Sequence, residues 1–263
     1  MSNFGRVIEI LVGGMKFSSL DFNIEGTVPF DNDTLPNESE VKIWNLSDST
    51  INKLKRNSVL HINAGYTGDI GTILQGYVTK RWSAWDGPNR ITTLKVLDGP
   101  DLTVRKIVSK AYAKGTLASY ILKDLASKLG IPVAQMELSK DVRYLGGYTA
   151  DGVITEVMAD ITKDCGTSFF MNKGRIYIRN LRRGADPLFK LSQKTGLIGS
   201  PEPLEGDDGV IGYNLRSQLQ HRISTASTVD LTSRIWSGRV HVRSGSHKFS
   251  RTGDFMTEME AIM

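Results

Sequence analysis

Residues with the chemistry of catalytic and metal sites are scarce in this chain. Its 263 residues include four histidines and one cysteine, namely His61, His221, His241, His247 and Cys165. A turn at residues 244–246 would bring His241 and His247 close together, but a metal site there needs at least one more ligand. We therefore favour two surface histidines that flank a hairpin turn, with a metal site as the alternative.

Two other signals for chemistry are also weak. Cys165 closes an amphipathic segment on its apolar face with no histidine near it in sequence, which favours a buried structural thiol over a nucleophile. The Asp-Asn-Asp tripeptide at 31–33 resembles the start of a calcium loop. Pro36 and Lys42, however, stand where such a loop needs glycine and glutamate. We interpret the tripeptide as part of a polar loop.

Sequence motifs of enzymes are absent from the chain. It has no glycine-rich phosphate loop, no H-E-x-x-H and no G-x-S-x-G. We predict no catalytic, metal-binding or cofactor-binding residue, no cofactor and no enzymatic activity. One alternative is a peptidoglycan-degrading enzyme, which would need two converging carboxylates or a Cys/His pair.

Aromatic and basic residues meet around the segment from Trp82 to Pro88, which we predict to be a turn. Trp82 and Trp85 lie in it beside Lys80 and Arg81, and such residues can stack on nucleic-acid bases. Tryptophans flanking a hairpin turn more often pack on the end of a barrel or at a subunit contact. We favour this packing role over stacking on bases.

The elements that would position these residues fall into three sections. Residues 1–100 contain at least six short, closely spaced strands and one short helix near Ile51, which indicates a small barrel or sandwich. Residues 101–190 indicate a helix over 117–129 capped by Thr116, a helix over 151–164 and a hairpin over 168–179. Residues 191–263 return to strands after a turn-rich entry at 195–202, with a second turn at 207–209.

Net charge is distributed unevenly along the chain. The total of +5 comes from sections of −1 (1–100), +7 (101–199), −4 (200–215), +6 (216–251) and −3 (252–263). A basic strand region between acidic segments suits contacts between neighbouring copies, while solvated strand faces are the plainer interpretation. A nucleic-acid-binding protein using 216–251 is a further alternative, although 218–224 lacks interleaved aromatic residues. The candidate subunit-interface residues are Arg216, Arg222, Arg239, Arg243, Trp82, Trp85 and Trp236.

The order of these pieces resembles the central baseplate hub proteins of contractile-tailed bacteriophages, the late control gene D-like group. The segments that carry the resemblance are 41–51 (a strand, then Asn-Leu-Ser and a short helix), 71–79, 114–131, 195–202, 235–248 and 253–259. The chain departs from the group at Phe255, where Trp is common. It is also short for the group, so we expect no appended lysozyme or needle domain.

The resemblance implies a mostly β, α+β fold with two small tube-type β-barrel domains, 1–100 and 191–263, around an α/β unit at 101–190. It implies a homotrimer that places six barrels in a ring, joining the sixfold tail tube to the central spike. Further implied partners are the tape measure protein and other baseplate proteins, with no membrane and no specific nucleic acid. The chain starts with an apolar run too short for a signal peptide or membrane span. We expect a soluble protein assembled in the host cytoplasm and located in the virion tail baseplate.

Overall fold

The computed structural model describes residues 4–99, 106–183, 185–206 and 209–263. Strands dominate these residues and helices are few, so the predicted α+β, mostly β class is confirmed. No helix in these ranges is long and apolar enough to cross a membrane.

The first section contains seven strands and one helix. They are β1 (Arg6–Val12), β2 (Met15–Ser18), β3 (Ile24–Phe30), β4 (Glu38–Trp44), α1 (Asp48–Lys53), β5 (Val59–Tyr66), β6 (Asp69–Asp86) and β7 (Asn89–Leu97). The predicted start of α1 is confirmed, because the Ser47 hydroxyl accepts a 3.2 Å hydrogen bond from the Thr50 amide. The predicted turn at 82–88 is wrong over most of its length, since β6 runs on to Asp86. Only Gly87, in left-handed backbone, and Pro88 are left to reverse the chain.

The middle section is a compact α/β unit. Its elements are β8 (Ile107–Tyr112), β9 (Thr116–Leu117), α2 (Ala118–Leu129), β10 (Val133–Met136), β11 (Arg143–Tyr144), β12 (Tyr148–Val153), α3 (Ile154–Asp164), β13 (Ser168–Asn172) and β14 (Arg175–Arg179). The predicted hairpin is confirmed as β13 and β14. The second helix starts three residues later than predicted, because residues 151–153 pair with β8 instead.

The cap of α2 differs from the prediction. Thr116 donates to the Ala113 carbonyl instead of capping the helix. The Asp141 carboxylate takes that place, accepting from the amide of Ser119 at 3.0 Å and from its hydroxyl at 2.7 Å. A carboxylate at a helix N-terminus accepts hydrogen bonds from free amides, and its negative charge interacts favourably with the helix dipole. At the other end Gly130 adopts the left-handed conformation that commonly ends a helix.

The third section returns to strands. They are β15 (Ala185–Ser192), a one-turn 3-10 helix (Gln193–Thr195), β16 (Leu197–Gly206), β17 (Gly209–Gln218), β18 (Ser227–Thr232), β19 (Ser237–Ser250) and β20 (Phe255–Ile262). The predicted turn-rich entry at 195–202 is mostly strand, and the predicted turn at 244–246 is the interior of β19. A bulge between Val242 and Ser244 takes up the irregularity there. Of the second predicted turn, Asp207 and Asp208 lie outside the described residues.

One large sheet joins the first and third sections. Its strand order is β16-β17-β20-β19-β3-β4-β7-β6-β5-β1-β2, and β19 also pairs with β18, which pairs with β15. The link between the sections is the antiparallel pairing of β3 with β19 over six residue pairs. No pairing recorded among the described residues closes either section into a barrel. The two barrels therefore stay a prediction.

Three of the four hydrophobic cores among the described residues lie mainly within one section each. One is built from residues 8–96 with Leu219, Phe249 and Phe255, one from residues 108–178, and one from residues 191–261 with Phe30. The fourth and smallest, Phe170, Leu181 and Ala226, joins the middle unit to the third section. The division into domains stays a prediction.

Candidate interaction surface

An alternating charged face runs across the large sheet from β7 to β16. Directly opposed residues share a face of a sheet, and the registers align Lys95 with Glu40, Glu40 with Thr27, and Thr27 with Lys248. On this charged face five cations are ion-paired with six carboxylates. The cations are Lys42, Lys95, Arg216, Arg243 and Lys248, and the carboxylates are Glu25, Glu38, Glu40, Glu202, Glu258 and Glu260.

These ion pairs neutralise the charge of the face and contribute little to the stability of the fold. Lys248 lies 2.7 Å from Glu258, and Lys95 lies 3.0 Å from Glu38. Hydrogen bonds to Glu38 and Glu40 raise the pKa of Lys95. Such pairs, exposed as they are, contribute about 0–1 kcal/mol each. The charged face is thus polar and close to neutral, unlike the basic patch that the section charges suggested.

The four arginines predicted at a subunit interface lie in different places. Arg216 and Arg243 are on the charged face, 2.8 Å from Glu202 and 2.6 Å from Glu260. Arg239 lies on β19, 3.3 Å from Asp230 on β18. Arg222 lies in the loop after β17 and binds Asp69 with two hydrogen bonds of 2.9 and 2.5 Å. Each arginine therefore has a carboxylate partner within its own chain, and their role between chains stays a prediction.

The three tryptophans also differ in their surroundings. Trp82 and Trp85 lie on β6 with exposed fractions of 37% and 70%. The Lys80 ammonium is 5.3 Å from the Trp82 ring, and the Arg90 guanidinium is 5.9 Å from the Trp85 ring. Trp236 is partly buried against Tyr213, with ring centroids 4.8 Å apart. Only Trp82 and Trp85 are therefore available to a partner.

The far end of β6 is an open strand edge. The recorded pairing of β5 with β6 ends at Tyr77, whereas β7 stays paired with β6 as far as Asp86. Beyond the bulge between Val78 and Lys80, one edge of β6 has no strand partner in the described part of the chain. The two exposed tryptophans lie in this stretch of the strand. Open edges of this kind pair readily with other chains.

Buried carboxyl groups occur where the three sections meet. Asp98 is almost fully buried and accepts a 2.7 Å hydrogen bond from the Asn37 amide. Burial raises its pKa to about 6, and burial likewise raises the pKa of Asp31. A paired acid and base would be a candidate for glycoside hydrolysis. Here the side chains hold the 31–37 loop instead, since Asn37 also bonds Asp31, at 3.4 Å.

The histidines do not form a metal site within the described residues, where no three metal-binding side chains come together. His247 is buried, bonds the Thr257 hydroxyl at 2.9 Å and packs on the Phe30 ring. Burial lowers its pKa to about 3, so it is neutral at pH 7. His241 and His247 lie on one continuous strand and His247 is buried, so the prediction of two surface histidines that flank a turn is wrong. The prediction of a buried Cys165 thiol is confirmed.

An open groove of about 1090 Å³ lies on the sheet branch formed by β15, β18 and β19. Two rows of side chains cross its floor, and the registers define them. One row is Lys190, Asp230 and Arg239, and the other is Ser192, Thr232 and Ser237. Lys194 and Arg234 stand at one end as walls. We call this feature the basic groove. Nothing in the sequence pattern indicated it, because its residues come from separate segments.

Comparison with solved structures shows which proteins have this fold. Neither a family model nor a curated protein sequence matches the chain. A tail protein from Neisseria meningitidis MC58 superposes with a TM-score of 0.69 at 10% identity, over 99% of this chain and 97% of that one. This chain shares its fold with phage tail proteins.

Two further structures agree with this. The 43 kDa tail protein of prophage MuSo2 from Shewanella oneidensis gives a TM-score of 0.67 at 11% identity, over 98% of both chains. An Escherichia coli component of the type VI secretion system, described as similar to the T4 bacteriophage tail proteins gp27 and gp5, gives 0.67 at 10% identity. That match covers 96% of this chain and 76% of the other.

Proposed function

We propose that this protein is a structural hub of a phage-type tail, a homotrimer that joins the tail tube to the central spike. The observation that carries the proposal is the whole-length match to a tail protein, with 99% and 97% of the two chains superposed. At 10% identity such a match speaks for the fold, so the role rests on the features below as well.

Several features of the chain suit an assembly role. The sheet leaves an open edge beside two exposed tryptophans at the end of β6, and its edge strand β16 is exposed on both faces over most of its length. Exposed strands with one partner are marginal alone and gain stability when another chain covers them. The buried Asp98 and the half-buried Asp31 hold a loop, which favours a structural protein over a tail-associated enzyme.

Native mass spectrometry of the full chain tests this proposal. We expect an assembly of about three times the 29.1 kDa chain mass, and co-sedimentation with the tube and spike proteins of the same particle. A chain that is monomeric at all concentrations and binds neither protein contradicts it. Clearing of peptidoglycan in a zymogram would instead support the enzyme alternative.

A further inference from the structure

The basic groove differs from the charged face in its unbalanced charge. Its four cations, Lys190, Lys194, Arg234 and Arg239, face a single carboxylate, Asp230. Only Arg239 reaches that carboxylate, at 3.3 Å, and the other three have no carboxylate partner among the described residues. On the charged face, by contrast, every one of the five cations is paired. Unpaired cations in a concave site attract an anionic ligand.

The groove floor is suited to a polypeptide. The row of three hydroxyls and the flanking cations donate hydrogen bonds to carboxylates, while Asp230 can only accept when ionised. A peptide offers both carboxylate acceptors and N–H donors, whereas a phosphodiester backbone offers acceptors alone. The nearest tryptophan, Trp236, packs on Tyr213 and is not free to stack on a base. These features favour an acidic protein segment over nucleic acid.

The chain carries such a segment on another surface. Residues 200–215 include four acidic residues and no basic one. Glu205 lies near the end of β16, exposed and without an ion-pair partner in the described ranges, and Glu202 is exposed as well. Pro201 and Pro203 lack the amide that a further strand would need, so β16 is poorly suited to edge pairing. It would bind through its side chains, which a groove can accept.

This acidic end cannot fill the groove of its own chain. The 3-10 helix that forms one wall of the groove leads directly into β16, and β16 then runs extended alongside β17. At roughly 3.3 Å per residue, Glu205 lies about 25 Å from Leu197. Groove and acidic end are therefore two different surfaces, as a head-to-tail contact that closes into a ring requires.

We infer that the basic groove of one copy binds the acidic end of β16, at Glu205, from a second copy. The inference rests on the proposed trimer and names the contact that would hold it together. Lys194 and Arg234 would meet Glu205, and the hydroxyl row would donate hydrogen bonds to carboxylates of the incoming strand.

Charge reversal tests this contact, with the concentration at which the trimer dissociates measured by light scattering and native mass spectrometry. We expect Arg234→Glu and Glu205→Lys each to raise that concentration at least about tenfold, because like charges then meet across the interface. The chain that combines both substitutions should assemble within about threefold of wild type. Lys123→Glu, an exposed site on α2, serves as the matched control and should change nothing. Circular dichroism melts check that every variant folds.

Each other result counts against the inference in a distinct way. If wild type is trimeric and both single variants assemble equally well, the contact is wrong and the proposed function stands. The same holds if the combined variant is no better than the single ones. A monomeric wild type overturns both. If wild type binds a labelled dT20 oligonucleotide at about 150 mM salt, Arg234→Glu does not, and Glu205→Lys still assembles, the occupant is nucleic acid.

Discussion

Arg222 donates two hydrogen bonds, of 2.9 and 2.5 Å, to the Asp69 carboxylate, although the two residues lie 153 positions apart in the chain. Asp69 begins β6 in the first section, and Arg222 lies in the loop between β17 and β18 of the third. His221 adds a second contact, with its ring nitrogen 3.8 Å from the same carboxylate. The two sections are thus joined by this ion pair as well as by the pairing of β3 with β19.

Weakening this pair should loosen the joint between the sections. Arg222→Lys keeps the charge but loses the two-pronged geometry, and we expect a loss of about 1 kcal/mol in the free energy of unfolding, since the pair is partly exposed. Hydrogen bonds from Arg222 lower the pKa of Asp69. The contribution of this ion pair to the free energy of unfolding is therefore fully present above about pH 5. It disappears as Asp69 is protonated, at a pH below the usual pKa of an aspartate.

Urea unfolding of Arg222→Lys at pH 7 and pH 3 measures both effects. Arg239→Lys is the matched control, because Arg239 makes a single 3.3 Å contact within one section. An equal loss for the two variants, or a loss that is undiminished at pH 3, would contradict this account.

Close backbone contact at the joint makes a second prediction. A Cβ at Gly245 on β19 would come within 2.2 Å of the Glu258 carbonyl and 2.7 Å of the Phe30 ring. We expect Gly245→Ala to destabilise the fold by about 1–3 kcal/mol, because well-packed sites yield only by shifting the backbone. Gly146→Ala is the control, since a Cβ there meets nothing within 4 Å. Thermal melts compare the two, and a neutral Gly245→Ala would show that the joint is looser than the contacts imply.

Local sequence signals account for most elements but not for the joint between the sections. Alternating apolar residues predict β5 correctly, and Ser47 and Gly130 mark the helix ends where the structure has them. Gly245 looks like a turn residue in sequence, yet it lies inside β19 because β3 and β20 pair with it on both sides. Such pairings join distant segments, so no local pattern contains them. The same is true of the basic groove and of the partners of the arginines.

Removing the charge of Asp98 should stabilise the protein at neutral pH. Burial raises the pKa of Asp98 to about 6, above the usual value of the unfolded chain. At pH 7 the folded protein must therefore keep an ionised carboxylate in a desolvated site, whereas at pH 4 it is protonated without that cost. We expect Asp98→Asn to raise the free energy of unfolding by about 1–3 kcal/mol at pH 7 and to make little difference at pH 4. The side-chain oxygen of the substituted asparagine can still accept the hydrogen bond from the backbone amide of Asn37.

Chemical unfolding at pH 7 and pH 4 measures this change. Asp86→Asn, at the exposed tip of the β6–β7 hairpin, is the control and should show no such difference. Destabilisation by Asp98→Asn at pH 7 would mean that the ionised form makes contacts worth more than its desolvation.

His247 should act in the opposite direction with pH. Its folded pKa of about 3 lies below that of a histidine in the unfolded chain, so unfolding takes up a proton below about pH 6.5. Stability from this residue falls as pH drops from 6.5 towards 3. His247→Gln can still bond the Thr257 hydroxyl, and we expect a flatter dependence of stability on pH between 7 and 4.5. The imidazole nitrogen shifts in NMR should show a neutral ring at pH 5, and a charged ring there would contradict the prediction.

Substitution of two tryptophans should affect stability and assembly differently. Trp85 is 70% exposed, so Trp85→Ala should change the free energy of unfolding by less than about 0.5 kcal/mol. Trp236 packs on Tyr213 and over Gly238, so Trp236→Ala should cost about 2–3 kcal/mol. If the open edge of β6 contacts another chain, Trp85→Ala weakens trimer, tube or spike binding while the melt is unchanged. A Trp85→Ala protein that assembles like wild type would leave the edge of β6 without a role in the particle, because its ring is the largest apolar surface that this edge exposes.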